Sequence, residues 1–105
     1  EDIDYMVSEF TGSGFRGPLN RYRNFHRDFA LMSKYAGQKI EQPALFMAGT
    51  ADVGIRMFGR DVETRMRDHF ADLRGFHMID GAGHWNQQEK PEETNRLLIN
   101  WLKSL

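Results

Sequence analysis

One histidine of this sequence is well placed to carry out proton-transfer chemistry. His84 follows an apolar run, residues 76–79, and two glycines, Gly81 and Gly83, that allow the chain to turn sharply. Histidine is the side chain that most readily takes up and releases a proton near neutral pH. Trp85 beside it would supply an apolar wall. We therefore interpret His84 as a candidate general base, with an ordinary loop histidine as the competing interpretation.

A carboxylate that could orient this histidine follows a second apolar run. Asp52 comes after residues 44–48, within a turn-rich segment. A histidine that accepts a proton needs its second ring nitrogen held and its positive charge stabilised, and a hydrogen-bonded carboxylate does both. We therefore predict that Asp52 is the partner of His84. A turn-forming role for Asp52 and a contact from Asp80 are the alternatives that the sequence leaves open.

Tyr22 is a candidate of another kind, because a phenol stays protonated at neutral pH and can donate to an oxygen that becomes an alkoxide. It belongs to an apolar stripe with helical spacing that also contains Phe25, Phe29 and Met32. This spacing predicts that Tyr22 points inward. By periodicity alone, a tyrosine of the hydrophobic core is the more common outcome.

The second half of the chain has a strand, helix, strand, helix pattern that would position the acid and the histidine. Residues 44–48 form a continuous apolar run bounded by proline and glycine, which is typical of a strand covered on both faces in a parallel sheet. Helical periodicity follows over residues 60–73, then a second strand over residues 76–79, and then a helix that begins at Pro91. The predicted inward positions of the two helices are Val62, Met66, Phe70 and Leu73, and Leu97, Leu98, Trp101, Leu102 and Leu105.

This order of elements defines a βαβα unit of the α/β class. A right-handed crossover makes the two strands parallel, and their carboxyl ends then open on the same edge of the sheet, where ligand sites lie. We therefore predict that Asp52 and His84 meet at this edge, although they are 32 residues apart. Two parallel strands alone do not make a stable sheet, so the chain is expected to be the end of a larger protein.

The first half is predicted to be helical and supplies no strand. An amphipathic helix over residues 2–10 is followed by a turn at residues 15–18 and by a second helix over residues 18–35. Residues 39–42 are predicted to be a linker to the first strand.

Composition excludes several classes of function. The formal net charge of -1 provides no field that would attract nucleic acid or anionic lipid, and no apolar run approaches the ~20 residues of a membrane span. The chain has no cysteine and its histidines show no metal-ligand spacing, so we expect no metal, no cofactor and a cytoplasmic location. Whether the protein is a homo-oligomer stays open.

Three stretches of the sequence resemble epoxide hydrolases of the α/β-hydrolase fold, the family that includes the soluble epoxide hydrolases. They read GFRGPLNRYRN at residues 14–24, PALFMAGTAD at residues 43–52 and GAGHWNQQEKPEE at residues 81–93. The resemblance covers nearly the whole chain and implies a C-terminal fragment of that fold. Residues 1–38 would be the end of the helical cap, and residues 39–105 the last βαβα part of the catalytic core.

This resemblance also implies a reaction and a role for each candidate residue. His84 matches the general base, Asp52 the acid that orients it, and Tyr22 one of two cap tyrosines that bind the epoxide oxygen; we assign Trp85, with Tyr22, to substrate binding. In the family an aspartate attacks an epoxide carbon to form an alkyl-enzyme ester, which water activated by the histidine hydrolyses to a vicinal diol. The nucleophile, the oxyanion donors and the second tyrosine are expected to precede residue 1, so the chain alone is expected to be inactive.

Two other functions fit the same residues. Another α/β-hydrolase, such as a haloalkane dehalogenase or an ester hydrolase, would share Asp52 and His84. Replacing Tyr22 would discriminate between the epoxide hydrolase and the dehalogenase, because a halide leaving group needs no phenol donor. The amphipathic helices of the first half also fit a non-catalytic binding or dimerisation module. The epoxide hydrolase has a small-molecule epoxide and water as its expected partners.

Overall fold

The computed structural model describes residues 1–57, 59 and 61–105 of the chain. Its helices and strands are α1 (Asp2–Ser13), α2 (Arg16–Arg23), α3 (Phe25–Met32), β1 (Ala44–Gly49), α4 (Val53–Met57), α5 (Val62–His69), β2 (Leu73–Ile79), α6 (Asn86–Glu89) and α7 (Pro91–Leu102), with a 3₁₀ turn at Ser33–Tyr35. They fall into two compact units, Glu1–Ala36 and Gly37–Leu105. Among the described residues, no helix combines the length and the apolar character that crossing a membrane requires.

The first helix ends three residues later than the sequence predicted. The hydroxyls of Thr11 and Ser13 donate to the carbonyls of Val7 and Glu9, at 2.6 and 2.9 Å, so both side chains are accommodated within the helix. Gly14, with a φ of 67°, ends the helix because this left-handed conformation suits a residue without a Cβ.

The single helix predicted over residues 18–35 is divided in the structure. Helix α2 begins at Arg16, where a turn was predicted, and Asn24 separates it from α3. The Asn24 N–H donates to the Asn20 carbonyl at 3.1 Å, and its own carbonyl accepts the Asp28 N–H at 2.8 Å. Because these bonds continue through Asn24, the two helices are joined by one residue and not by a loop.

The prediction that Tyr22 points inward is wrong. Tyr22 is 63% exposed, and its ring contacts Phe25 edge-on with the two centroids 5.8 Å apart. Phe29 and Met32 of the same stripe are also exposed, and none of residues 1–36 is buried. Periodicity identified residues that share one face of a helix, but residues 1–36 contain nothing that covers this face.

Strands β1 and β2 form the predicted parallel pair. Phe46 and Phe76 lie opposite each other in the register, and their rings stack with centroids 5.0 Å apart. Burial is greatest at the carboxyl ends of the strands, at Ala48 and Ile79, whereas most other strand residues are half-buried. The prediction of strands covered on both faces therefore holds only at the carboxyl edge of the sheet.

The helix before β2 is shorter than predicted. It occupies Val62–His69, and its predicted start at Arg60 lies outside the described residues. Phe70 has an extended backbone because it forms a parallel bridge with Ile40. Leu73, which was predicted on the inner face of this helix, is instead the first residue of β2.

The final helix begins at Pro91, as predicted, and Pro91 occupies its first turn. Its covered positions are Pro91, Thr94, Leu97, Leu98 and Trp101. Leu102 and Leu105 were also predicted to be buried, but both are exposed because they lie at and beyond the end of the helix.

Candidate active site

Asp52 lies in the turn between β1 and α4, with only 7% of its surface exposed. Its Oδ1 accepts the N–H of Gly54 at 2.7 Å, as in an Asx turn. The turn-forming interpretation is therefore correct for one oxygen of this carboxylate. The other oxygen, Oδ2, is free of the turn and faces the loop after β2.

The predicted contact between Asp52 and His84 is confirmed, with Nδ1 of His84 lying 3.0 Å from Oδ2 of Asp52. The hydrogen bond to His84 is the main cause that holds the pKa of Asp52 below its ordinary value, while desolvation by burial opposes it. An ionised carboxylate can only accept, so Nδ1 carries the proton and Nε2 is the acceptor of the neutral ring. The side chain of His84 is 70% exposed, so the ring is open to reactants.

Asp80, the alternative acid, bonds to a different residue. Its Oδ1 accepts from the Thr50 hydroxyl at 3.2 Å, and the same hydroxyl accepts the N–H of Gly81 at 2.9 Å. Thr50 thus links the turn after β1 to the turn after β2. The geometry favours Asp52 over Asp80 as the partner of His84.

The end of β1, at Gly49, lies directly against the backbone of the loop after β2. The N–H of Ala51 donates to the carbonyl of Ala82 at 2.9 Å, and a Cβ on Gly49 would overlap that carbonyl. Backbone contact therefore sets the distance between the loop that carries Asp52 and the loop that carries His84.

We expect Gly49→Ala to lower the free energy of unfolding by about 2–3 kcal/mol, because a methyl group that overlaps a backbone carbonyl cannot escape by a change of rotamer. Denaturant unfolding measures this loss. The matched control is Gly17→Ala in α2, where a Cβ meets nothing within 4 Å. This control is expected to be neutral or to stabilise by up to about 1 kcal/mol. Equal stability of the two variants would contradict the close approach.

Trp85 is the third predicted residue that this edge of the sheet brings together. Its ring meets that of His84 edge-on, with centroids 5.4 Å apart and an angle of 82° between the planes. The indole is exposed on its remaining surface. Tyr22 belongs to the other compact unit, Glu1–Ala36.

Sequence analysis missed one residue at this edge, Glu89. Its carboxylate accepts the N–H of Gly83 at 2.7 Å and the N–H of Trp85 at 3.2 Å. Trp85 is the N-cap of α6, and a glutamate in the first turn that reaches back to the N-cap N–H is the signal of a capping box. Glu89 lies one position later than this motif requires, which is why the pattern was not evident.

The described part of the chain contains no group of three or more His, Asp or Glu side chains that could hold a metal ion. The hydrogen bond between His84 and Asp52 supports proton transfer at this edge, by an exposed imidazole whose other nitrogen is held by a buried carboxylate.

The parallel strand pair, the helix that follows each strand, and the acid and histidine at the carboxyl edge define a carboxyl-terminal portion of an α/β-hydrolase fold. In sequence, the chain corresponds to the carboxyl-terminal part of the epoxide hydrolases of that fold. Epoxide hydrolase B of Mycobacterium tuberculosis is 43% identical over 104 residues, which are 99% of this chain and 29% of that protein. Bifunctional epoxide hydrolase 2 of Rattus norvegicus is 41% identical over 99% of this chain and 18% of that protein.

Solved structures show the same relationship. Epoxide Hydrolase A from Mycobacterium thermoresistibile superposes with a TM-score of 0.82 at 42% identity, over 95% of this chain and 30% of that chain. Potato (Solanum tuberosum) epoxide hydrolase I gives a TM-score of 0.87 over 97% of this chain and 33% of that chain, but at 23% identity it supports the fold alone. No family model matches the chain. The chain thus spans a third or less of the length of the relatives named here. The predicted resemblance and fold class are confirmed.

Proposed function

We propose that this chain is the carboxyl-terminal part of an epoxide hydrolase, here called the parent enzyme, which converts an epoxide and water to a vicinal diol. The observation that carries the proposal is the 3.0 Å hydrogen bond between Asp52 and His84, in a chain 43% identical to a protein named epoxide hydrolase. The segments of the parent enzyme that would supply the nucleophile and the second tyrosine are outside this chain. The chain by itself is therefore expected to be inactive.

The proposed reaction has two steps, and the first does not use the histidine. A carboxylate of the parent enzyme attacks one epoxide carbon, the carbon–oxygen bond of the ring breaks, and an alkyl-enzyme ester forms. The epoxide oxygen becomes an alkoxide that takes a proton from Tyr22 or from the second tyrosine. This role of Tyr22 is consistent with its exposure, because a phenol buried in a core could not reach a substrate.

The second step depends on His84. Nε2 takes a proton from a water molecule, whose oxygen then adds to the carbonyl carbon of the ester. The intermediate releases the diol oxygen as the leaving group, and the proton on His84 passes to it. The proton that remains on the regenerated carboxyl returns through solvent to the tyrosinate, which restores the enzyme. Asp52 stabilises the imidazolium that exists between these events, because its carboxylate is ionised and bonded to Nδ1.

The remaining assignments belong to the same proposal. Residues 1–38 are the end of a helical cap, and residues 39–105 are the end of the catalytic core. Trp85, which packs edge-on against His84, forms an apolar wall of the substrate site. A cytoplasmic location and the epoxide substrate of the parent enzyme stay predictions.

The test of the proposal is a single turnover of the purified parent enzyme with an aryl epoxide in H₂¹⁸O. If the ester forms, the new hydroxyl oxygen of the diol comes from the enzyme, and the heavy oxygen is incorporated into the nucleophilic carboxylate. Mass spectrometry of the diol and of the digested enzyme measures both. Absence of diol would reject the function, whereas heavy oxygen in the first diol formed would reject the covalent step.

Tyr22→Phe discriminates an epoxide hydrolase from a haloalkane dehalogenase. We expect this variant of the parent enzyme to form the ester from an epoxide about a hundredfold more slowly, because a proton donor to the alkoxide is lost. Stopped-flow or quenched-flow measurement of ester formation reports the rate. The matched control is Tyr5→Phe, another exposed tyrosine of the first unit, which is expected to leave the rate unchanged. Unchanged epoxide opening in Tyr22→Phe, together with release of halide from a haloalkane, would favour the dehalogenase.

A further inference from the structure

The backbone on both sides of His84 is held by one carboxylate. Glu89 Oε2 accepts the N–H of Gly83 at 2.7 Å, and Oε1 accepts the N–H of Trp85 at 3.2 Å. The residues before and after the histidine are therefore bonded to the two oxygens of the same planar group. Charge-assisted bonds of this kind are stronger than bonds between neutral groups.

The packing around Gly83 shows that this contact is tight. A Cβ placed on Gly83 would lie 2.9 Å from Oε1 of Glu89 and 3.1 Å from Oε2. The carboxylate thus lies within close contact of the position that a Cβ at residue 83 would take. Glycine at this position lets Glu89 approach the backbone directly.

The other contacts of this loop act on its first part. The Thr50 hydroxyl accepts the N–H of Gly81 at 2.9 Å, and the Ala82 carbonyl accepts the N–H of Ala51 at 2.9 Å. These bonds fix the loop to the turn after β1 before the chain reaches the histidine. Glu89 fixes it at residue 83 and again at residue 85, where α6 begins.

We propose that Glu89 is a positioning residue for His84, which holds the backbone on both sides of the imidazole so that its Nδ1 stays on Asp52 while Nε2 faces the reacting water. The catalytic consequence of this inference rests on the proposed function. The imidazole is 70% exposed, and its contacts with Asp52 and Trp85 are kept only while the backbone that carries it stays in place. A misplacement of about 1 Å in a reacting group can cost about a hundredfold in rate.

Glu89→Gln removes half of this support with little change of shape. The amide of glutamine has one acceptor oxygen, and its NH₂ group would face a second N–H donor, so only one flank of His84 can remain bonded. The formation of the ester does not use His84, whereas its hydrolysis does. A positioning role therefore predicts a selective effect on the second step, which a general loss of structure would not produce.

The experiment measures both steps of the parent enzyme by single-turnover kinetics with an aryl epoxide. In Glu89→Gln we expect ester formation within about twofold of wild type and ester hydrolysis slowed at least tenfold, so that the ester accumulates. The mass of the intact protein detects it. The matched control is Glu92→Gln, which removes the same charge in the first turn of α7 and should leave both rates unchanged.

Equal rates in Glu89→Gln and wild type, or equal slowing of both steps, would overturn the inference. If Glu89→Gln fails to fold, Glu89→Asp takes its place: it keeps two acceptor oxygens on a shorter arm, and a smaller but still selective slowing of hydrolysis is expected. A failure of the proposed function is recognised separately, because wild type would then form neither ester nor diol.

Discussion

The His84→Gln variant of the parent enzyme is expected to form diol about a thousandfold more slowly than wild type, because it lacks the general base for ester hydrolysis. Glutamine resembles histidine in size and can donate to Asp52, but it has no nitrogen that takes up a proton near neutral pH. Ester formation should persist, so the enzyme should be trapped as its alkylated form. Intact-protein mass spectrometry would then show an increase equal to the mass of the epoxide.

The control for this variant is His69→Gln, which alters an exposed histidine at the end of α5, away from the edge that carries His84. Diol formation at the wild-type rate is expected there. If His84→Gln turned over at a rate comparable to wild type, or if no ester accumulated while wild type was active, the role of His84 as base would be wrong.

The Asp52→Asn variant is expected to lose about 10³- to 10⁴-fold in diol formation. In wild type, Oδ1 accepts the Gly54 N–H and Oδ2 accepts Nδ1–H of His84, so both oxygens of the carboxylate are hydrogen-bonded. Asparagine has one oxygen for these two donors, and it carries no charge to stabilise the imidazolium. The comparison with Asp80→Asn is informative, because that change removes the alternative acid and should leave the rate near wild type.

The lowered pKa of Asp52 also predicts that the difference in stability between wild type and Asp52→Asn depends on pH. A carboxyl whose pKa is lower in the folded than in the unfolded state stabilises the fold above its ordinary value of 3.8, and this contribution is lost as the pH falls through the lower folded value. Wild type should therefore be more stable than Asp52→Asn at pH 6, with the difference shrinking as the pH falls below about 4. Thermal unfolding between pH 3 and pH 7 tests this. A difference that did not change with pH would contradict an ionic role for Asp52.

Much of the site was predictable because it depends on short-range patterns with few alternatives. The apolar run at residues 44–48 and the run at residues 76–79 each end in turn residues, and the helix between them favours a parallel pair. This arrangement places Asp52 and His84 at one edge, which the structure shows. The roles of base and orienting acid followed from the chemistry of the two side chains, whereas the epoxide reaction came from motifs that resemble a family.

The errors arose where a distant contact competes with local periodicity. Phe70 and Leu73 have helical spacing, but the bridge between Ile40 and Phe70 ends the helix and turns the chain into β2. The sequence pattern of residues 60–73 does not indicate that Phe70 forms a bridge with Ile40. The exposure of Tyr22 has a related cause, because periodicity shows which residues share a face and not whether another element covers it.

Glu89 was not predicted, although its contacts are local and not distant in sequence. Its contacts with Gly83 and Trp85 are local, but they depend on the direction of two backbone N–H groups in a loop of irregular conformation. Sequence patterns describe regular elements well and such loops poorly. Glu89 lies within the stretch at residues 81–93 that resembles epoxide hydrolases, but the resemblance assigned it no role.

Within the described residues, β1 and β2 are bonded to each other and each has one neighbouring strand. The outer side of each strand therefore presents a row of backbone donors and acceptors that can template an added strand. When the polypeptide is produced alone, we expect the unpaired groups of these rows to form cross-β hydrogen bonds between copies. A low protein concentration or a solubilising fusion partner should reduce this association.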